Sequence, residues 1–393
     1  MSEWVLAYDG FDPATEGLRE SLCTLGSGYV ATRGAAPEMS AGDIHYPGTY
    51  IAGLYNRLGT TMGGRVIENE DLVNVPNWLP LQFRIHGHDS WFEIDARRVD
   101  AYRQELDTRR GVLTRSFVWI DEDGRRTRVT QQRFVSMRNP RLAGLETTFL
   151  AENWSGRLDV RSALDGTVIN AGVPRYRQLN SRHLTPVETW RVGDDGMCLL
   201  VETSQSRVGV AVAGRTRISE GREIGPGDRA TTETAGWIGQ ELVLEMAEGS
   251  SVSVEKVVIF YTSRDRAISE AGLEARSRLP DLATFADARE QHVLAWDQLW
   301  RRFHLKTGAD EGTRRNLNVH MFHLLQTASK HTISLDVGVP ARGWHGEAYR
   351  GHIFWDELFI FPFLNLHLPD LTRSLLYYRY RRLREARLAA TEA

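Results

Sequence analysis

The period of the apolar residues changes once along this chain, at about residue 265, and that change limits the folds open to it. Before it, apolar and polar residues alternate in short runs, clearest at 79–85 and 91–94. Residues 115–120 and 125–129 flank Asp121–Gly124, where Asp123-Gly124 is a hairpin signal. Further strands are expected at 144–150, 156–162, 207–213, 241–247 and 251–261, with turns at 194–196 and 249–250. Many short strands with little helix predict a large antiparallel sandwich.

After residue 265 the spacing becomes helical. Residues 267–279 read as a polar helix. Trp296, Leu299, Trp300 and Phe303 share one face of a second helix over 284–303. A break at 306–310 precedes a helix over 311–330, with Leu317, Met321, Leu324, Leu325 and Ala328 on one face. A glycine-containing loop follows at 337–351, then an apolar helix at about 352–366. Pro369 opens a last helix of about 20 residues. The organisation expected is a β domain over 1–265, a helical linker over 266–310 and the first helices of an α domain over 311–393. The apolar face of the last helix lacks partners within the chain, which predicts that these 393 residues are part of something larger.

Composition excludes more than it assigns. With 48 basic and 51 acidic residues the net charge is −3, which makes no electrostatic case for nucleic acid or an anionic membrane. The start of the chain lacks the basic and apolar regions of a signal peptide, and no run of about 18 apolar residues predicts a membrane span. The two cysteines, Cys23 and Cys198, have no metal or redox spacing, so a reducing, cytoplasmic setting is expected. Eleven tryptophans suit a large core and equally suit sugar-binding walls.

Chemistry concentrates at residues 342–364, where Asp356 and Glu357 sit inside an aromatic and aliphatic run. A buried carboxylate is costly unless paired or hydrogen-bonded. On a helix the two acids point about 100° apart, so one can accept from a pair of sugar hydroxyls while the other makes a salt bridge, with Arg342 or Arg350 as candidates. Both acids capping or pairing at a helix start is the alternative. His345 and Glu347 form an H-x-E pair with His352 beyond, but the P-C-x-x-C segment that zinc deaminases add is absent, and His320 and His323 lie three apart without a third ligand, so no metal site is expected. The glycine-rich stretch 25–34 lacks the Lys-Ser/Thr of a phosphate-binding loop and reads as tight β-turn geometry. No serine or cysteine nucleophile signature occurs.

Arg342-Gly343, Gly346-Glu347, Tyr349-Arg350-Gly351-His352 and Phe354-Trp355-Asp356 together resemble a block of glycoside hydrolase family 65, the family of maltose, trehalose, kojibiose and nigerose phosphorylases. Residues 19–22, 25–29, 32–34, 47–56 and 73–78 are similar to the same family's N-terminal half, in the same order. Where many members carry Thr-Glu this chain has Glu357-Leu358, so no role carries over to Glu357. The resemblance implies a β-sandwich, a helical linker and the beginning of an (α/α)6 barrel. It also implies inverting phosphorolysis of an α-linked glucose disaccharide to β-glucose 1-phosphate, with inorganic phosphate as co-substrate, no cofactor, and a homodimer. Trp355 and Asp356 would line the glucosyl subsite, with Arg342, His345, Glu347, Arg350 and His352 as neighbours shaping it. The general acid lies in a later D-E-Y-H block, which has no counterpart here, so it is expected beyond Ala393 and no catalytic residue is assigned. The alternatives are a trehalase-like hydrolase and a non-catalytic carbohydrate-binding or dimerisation module.

Overall fold

The computed structural model describes residues 2–224 and 229–392. Two large antiparallel sheets dominate it. The nine-stranded sheet runs in the order Val5–Asp9, Val99–Asp107, Val112–Ile120, Arg126–Val135, Leu142–Ala151, Ser251–Thr262, Gly209–Glu220, Gly196–Thr203, Leu184–Val192. The four-stranded sheet is Ala230–Thr234, Trp237–Met246, Gly156–Asp165, Leu81–Ile85. Their facing sides share one core, in which Phe83, Phe92, Phe117, Trp119 and Phe149 form an aromatic cluster. Ser162 and Thr216 join the sheets through a hydroxyl pair at 2.7 Å.

Strand Ser251–Thr262 shows why a single alternation rule fails at the centre. All but its first residue are buried. Val252, Val254, Val258 and Phe260 face the other sheet. Val257, Ile259 and Tyr261 face helices packed on the outer side. A strand covered on both faces reads as a continuous apolar run. Ser253, Glu255 and Lys256 interrupt that run, and Lys256 is fully buried, with Nζ donating to Pro80 O at 3.0 Å and Ala163 O at 2.7 Å. It has no carboxylate partner among the described residues, and burial holds its pKa well below that of an ordinary lysine.

The described residues hold seven α-helices: α1 Glu16–Leu22, α2 Ala271–Arg278, α3 Phe285–Phe303, α4 Glu311–Thr327, α5 Glu357–His367, α6 Pro369–Arg381 and α7 Leu383–Glu392. Thr284 caps α3 by accepting from Asp287 N, and Asp310 caps α4 by accepting from Thr313 N. The expected break at 306–310 is thus a capped start. The predicted face of α3 is buried: Trp296 stacks on Phe322 of α4 at 4.7 Å, and Trp300 Nε1 donates to Thr108 O at 2.9 Å. None of these helices is long and apolar enough to cross a membrane.

Three expectations need correction, and one hairpin is new. Residues 91–94 form no strand; Phe92 and Ile94 are buried by packing, with Phe92 N bonded only once, to Phe83 O. The helix expected at 352–366 starts at Glu357, because residues 348–352 fold against strand Arg65–Leu72 instead. The single last helix is two, broken at Arg382, whose guanidinium turns back over the Tyr378 ring at 3.8 Å and, with Arg381, toward Asp336. The hairpin Tyr55–Met62/Arg65–Leu72 was not anticipated.

Candidate functional site

Residues 339–358 lie over the small N-terminal sheets, and nearly every polar group there is tied down. Glu347 is buried under three donors: the hydroxyl of Tyr46, that of Tyr50 at 3.0 Å, and Gly172 N at 2.9 Å. Burial pushes its carboxyl above the usual range, against the pull of those hydrogen bonds. Arg350 pairs with Asp71 at 2.8 Å and lies over the Tyr176 ring at 4.5 Å. His352 Nε2 meets Glu70 O at 2.7 Å, and Tyr55 donates to Gly351 O. His345 Nδ1 meets Ser21 O at 2.9 Å, its carbonyl accepts from Arg33, and its ring lies against His323 at 4.4 Å. Burial lowers the pKa of both imidazoles, His323 to about 3.

Tyr349 and Arg350 adopt left-handed backbone, with φ of 55° and 57°, held by these contacts. Arg342 is exposed and stacks over the Tyr349 ring at 5.5 Å. The sequence therefore named as neighbours five residues of two kinds. His345, Glu347, Arg350 and His352 bind the segment to the β domain. Arg342 stays on its surface.

Trp355 and Asp356 differ from all of these. Trp355 is 64% exposed, its ring edge-on to Phe359 at 5.3 Å. Asp356 stands at the N-terminal end of α5, exposed, and its carboxylate has no hydrogen-bond or ion-pair partner among the described residues. Next to it Glu357 is buried. It accepts from Val339 N at 2.8 Å and pairs with Arg379 of α6 at 2.9 Å. That pairing with α6 replaces the partners expected from sequence: Arg350 is taken by Asp71, and Arg342 lies exposed over the Tyr349 ring. The two adjacent acids thus have opposite tasks: Glu357 fastens α5 to α6, and Asp356 is free to accept.

An apolar surface continues from this point. Leu358, Phe359 and Leu366 of α5 and Leu376, Tyr377 and Tyr380 of α6 are all exposed. Sequence reading overlooked a buried charge cluster nearby. Glu16, Glu20 and His45 bring ligand-type atoms within 4.8 Å of one another. Glu20 is already saturated by His45 Nδ1 at 3.0 Å, Tyr46 N at 3.0 Å and Arg33 at 3.4 Å, so the cluster serves as a polar brace under the 45–50 segment. Its residues are scattered over a helix and a loop, and no spacing motif announces them.

The start of α5 thus presents an unpaired acid beside an exposed indole. Comparison with known proteins gives the family. Residues 6–299 match the N-terminal domain of glycosyl hydrolase family 65, and residues 318–393 match that family's central catalytic domain. The chain belongs to glycosyl hydrolase family 65. It is 46% identical over 391 residues to an uncharacterised glycosyl hydrolase of Mycobacterium tuberculosis, covering 99% of this chain and 29% of that protein. It is 30% identical to the kojibiose phosphorylase of Caldanaerobacter subterraneus subsp. tengcongensis over 98% of this chain and 49% of that one. A solved human-microbiome protein assigned as a kojibiose phosphorylase superposes with a TM-score of 0.85 at 19% identity, over 99% of this chain and 50% of that one, which is a likeness of fold. The chain spans half or less of the length of these relatives.

Proposed function

We propose that this chain forms the sugar-facing entrance of an α-glucoside phosphorylase, with Trp355 and Asp356 lining the glucosyl subsite. Trp355 supplies an apolar wall for a sugar ring, and Asp356 accepts from its hydroxyls. The observation that carries this reading is the isolation of Asp356. Every other carboxylate of the 342–358 segment is consumed by the fold, and this one is exposed, unpartnered and adjacent to an exposed indole.

In this reading residues 1–265 are the β domain, 266–310 the linker and 311–393 the opening of an (α/α)6 barrel. The kojibiose phosphorylase relative supports phosphorolysis as the reaction class. Phosphate attacks the anomeric carbon from the face opposite the leaving oxygen. One protein acid then suffices, where an inverting hydrolase needs two. The products are β-glucose 1-phosphate and glucose, with phosphate as co-substrate and no cofactor. The proton donor and the phosphate-binding residues belong to the part of the relatives that this chain does not span. The exposed apolar faces of α5 and α6 suit packing by further barrel helices, and a cytoplasmic homodimer fits the same reading.

The test is sugar binding by the 393-residue chain, followed by tryptophan fluorescence and ligand-observed NMR with glucose, kojibiose and trehalose. Trp355→Ala and Asp356→Asn should each weaken binding without lowering the melting temperature, because both side chains are exposed. Undiminished binding by both variants refutes the assignment. The chain alone should release no glucose from maltose, trehalose or kojibiose in phosphate buffer, and phosphate-dependent release would overturn the view that the acid lies elsewhere.

A further inference from the structure

A cavity of about 210 Å³ opens where the end of strand Ser251–Thr262 meets the 51–54 turn and residues 334–336. Its charges do not balance. Asp265 is saturated by Arg141 at 2.9 Å, the Tyr29 hydroxyl at 2.8 Å and Thr262 N at 2.8 Å. Asp336 is taken by Arg381 at 2.8 Å and Arg382 at 3.4 Å. That leaves Arg264 and Arg266, both lining the cavity, with backbone carbonyls as their only acceptors among the described residues: Gly53 O for Arg264 and Ser334 O, at 3.1 Å, for Arg266. A guanidinium carries five N–H donors in a fork suited to tetrahedral oxyanions, so each retains most of its capacity.

Two further observations fall at the same place. A second cavity, of about 70 Å³, shares Arg264 and Asp336 with the first and reaches Pro340 and Ile353, which flank the Trp355 segment. Asp336, which lines both cavities, and Ala267, the residue after Arg266, both hold left-handed backbone, with φ of 54° and 60°. Strained non-glycine backbone of this kind persists where surrounding structure over-determines it, commonly at ligand sites.

We propose that this cavity is an anion site for a phosphate group, held between Arg264 and Arg266. It is well below the roughly 300–1,000 Å³ of pockets that enclose drug-sized ligands, so it takes inorganic phosphate or the phosphate end of a hexose phosphate and excludes a whole disaccharide. Because its walls come from the β domain and from the segment leading to Trp355, the bound anion bridges the two. The site shares no residue with the Trp355–Asp356 pair and stands or falls independently of the function proposed above.

The test is calorimetric titration and thermal unfolding of the 393-residue chain with inorganic phosphate, glucose 1-phosphate, glucose 6-phosphate and glucose, against chloride at matched ionic strength. Phosphate-bearing ligands should bind saturably and raise the melting temperature, and any response to glucose should be untouched by substitution of Arg264 or Arg266. Arg264→Gln and Arg266→Gln should each weaken binding by about tenfold or more, the loss of one charge-assisted fork. Arg97→Gln, at an exposed arginine that lines neither cavity, should leave phosphate binding unchanged. Equal affinities for phosphate and the hexose phosphates identify the free ion as ligand, and a tighter hexose phosphate identifies the ester; either supports the site. Absence of saturable binding, or binding that survives both arginine substitutions, overturns it. Should Arg264→Gln fail to fold, the exposed Arg266 decides the matter alone.

Discussion

His292 gives a test of how the helical layer is held to the β domain. It is fully buried on α3. Its Nδ1 accepts from Met137 N at 3.0 Å, and its Nε2 donates to Gly111 O at 3.0 Å. That bonding requires the neutral ring, and burial lowers its pKa to about 4. In the unfolded chain the value returns to about 6.5. Between those values the unfolded chain binds a proton that the native chain refuses, so native stability falls as pH drops. The contribution is intact above pH 6.5, about 2 kcal/mol of it is gone at about pH 5, and the full loss below pH 4 is about 3 kcal/mol. The experiment is urea unfolding followed by circular dichroism at pH about 7.5 and about 5, for the native chain and for His292→Gln. The amide can keep both bonds and cannot titrate in this range. The variant is expected to start less stable and to lose about 2 kcal/mol less over the pH change. Other buried histidines titrate in both proteins and cancel in the difference. Parallel pH dependences would refute the neutral, doubly bonded imidazole.

Lys256 predicts the same sign in the alkaline range. With its pKa held well below 10.5 by burial, the native amine is deprotonated first. Stability should therefore rise from about pH 8 to about pH 10, and Lys256→Met should flatten that rise in the same unfolding assay. Glu347→Ala leaves the Tyr50 hydroxyl and Gly172 N without their acceptor and the Tyr46 hydroxyl with Ile169 O alone. It should cost about 3 kcal/mol or more and speed proteolysis within residues 339–356; an unchanged melting temperature would show that the segment is held by other means. The exposed apolar side chains of α5 and α6 should bind a hydrophobic dye, and a dye-negative chain would mean that another surface covers them.

Much of the architecture is legible from local pattern. The change of period near residue 265, the turn at Asp121–Gly124 and the break at 306–310 are all short-range signals, and each has its counterpart in the fold. The missed hairpin shows the limit. Gly63 and Gly64 both take positive φ, as its tight turn requires, but the flanking residues near the tip are solvated on both faces, so no alternation marks them. Residues 91–94 fail the other way, alternating in burial without a ladder to join. At the site, the run around Trp355 and Asp356 stood out because acids amid aromatics are conspicuous. What each residue does there was not legible. The partners of Glu347 lie up to 301 positions away, and that of Glu357 lies on a helix whose packing no local pattern specifies.

That sequence separation has a consequence for synthesis. Tyr46, Tyr50, Arg33 and Asp71 are made early, yet their partners Glu347, His345 and Arg350 follow 279 to 312 residues later. At about 5–20 residues per second, a ribosome takes roughly 15–60 s to cover that interval. Throughout it the growing β domain carries a row of tyrosine hydroxyls, a guanidinium and a carboxylate with their late partners still unmade. The 342–352 segment thus seats late on a waiting template, and its arrival is the moment at which these early side chains gain their distant partners.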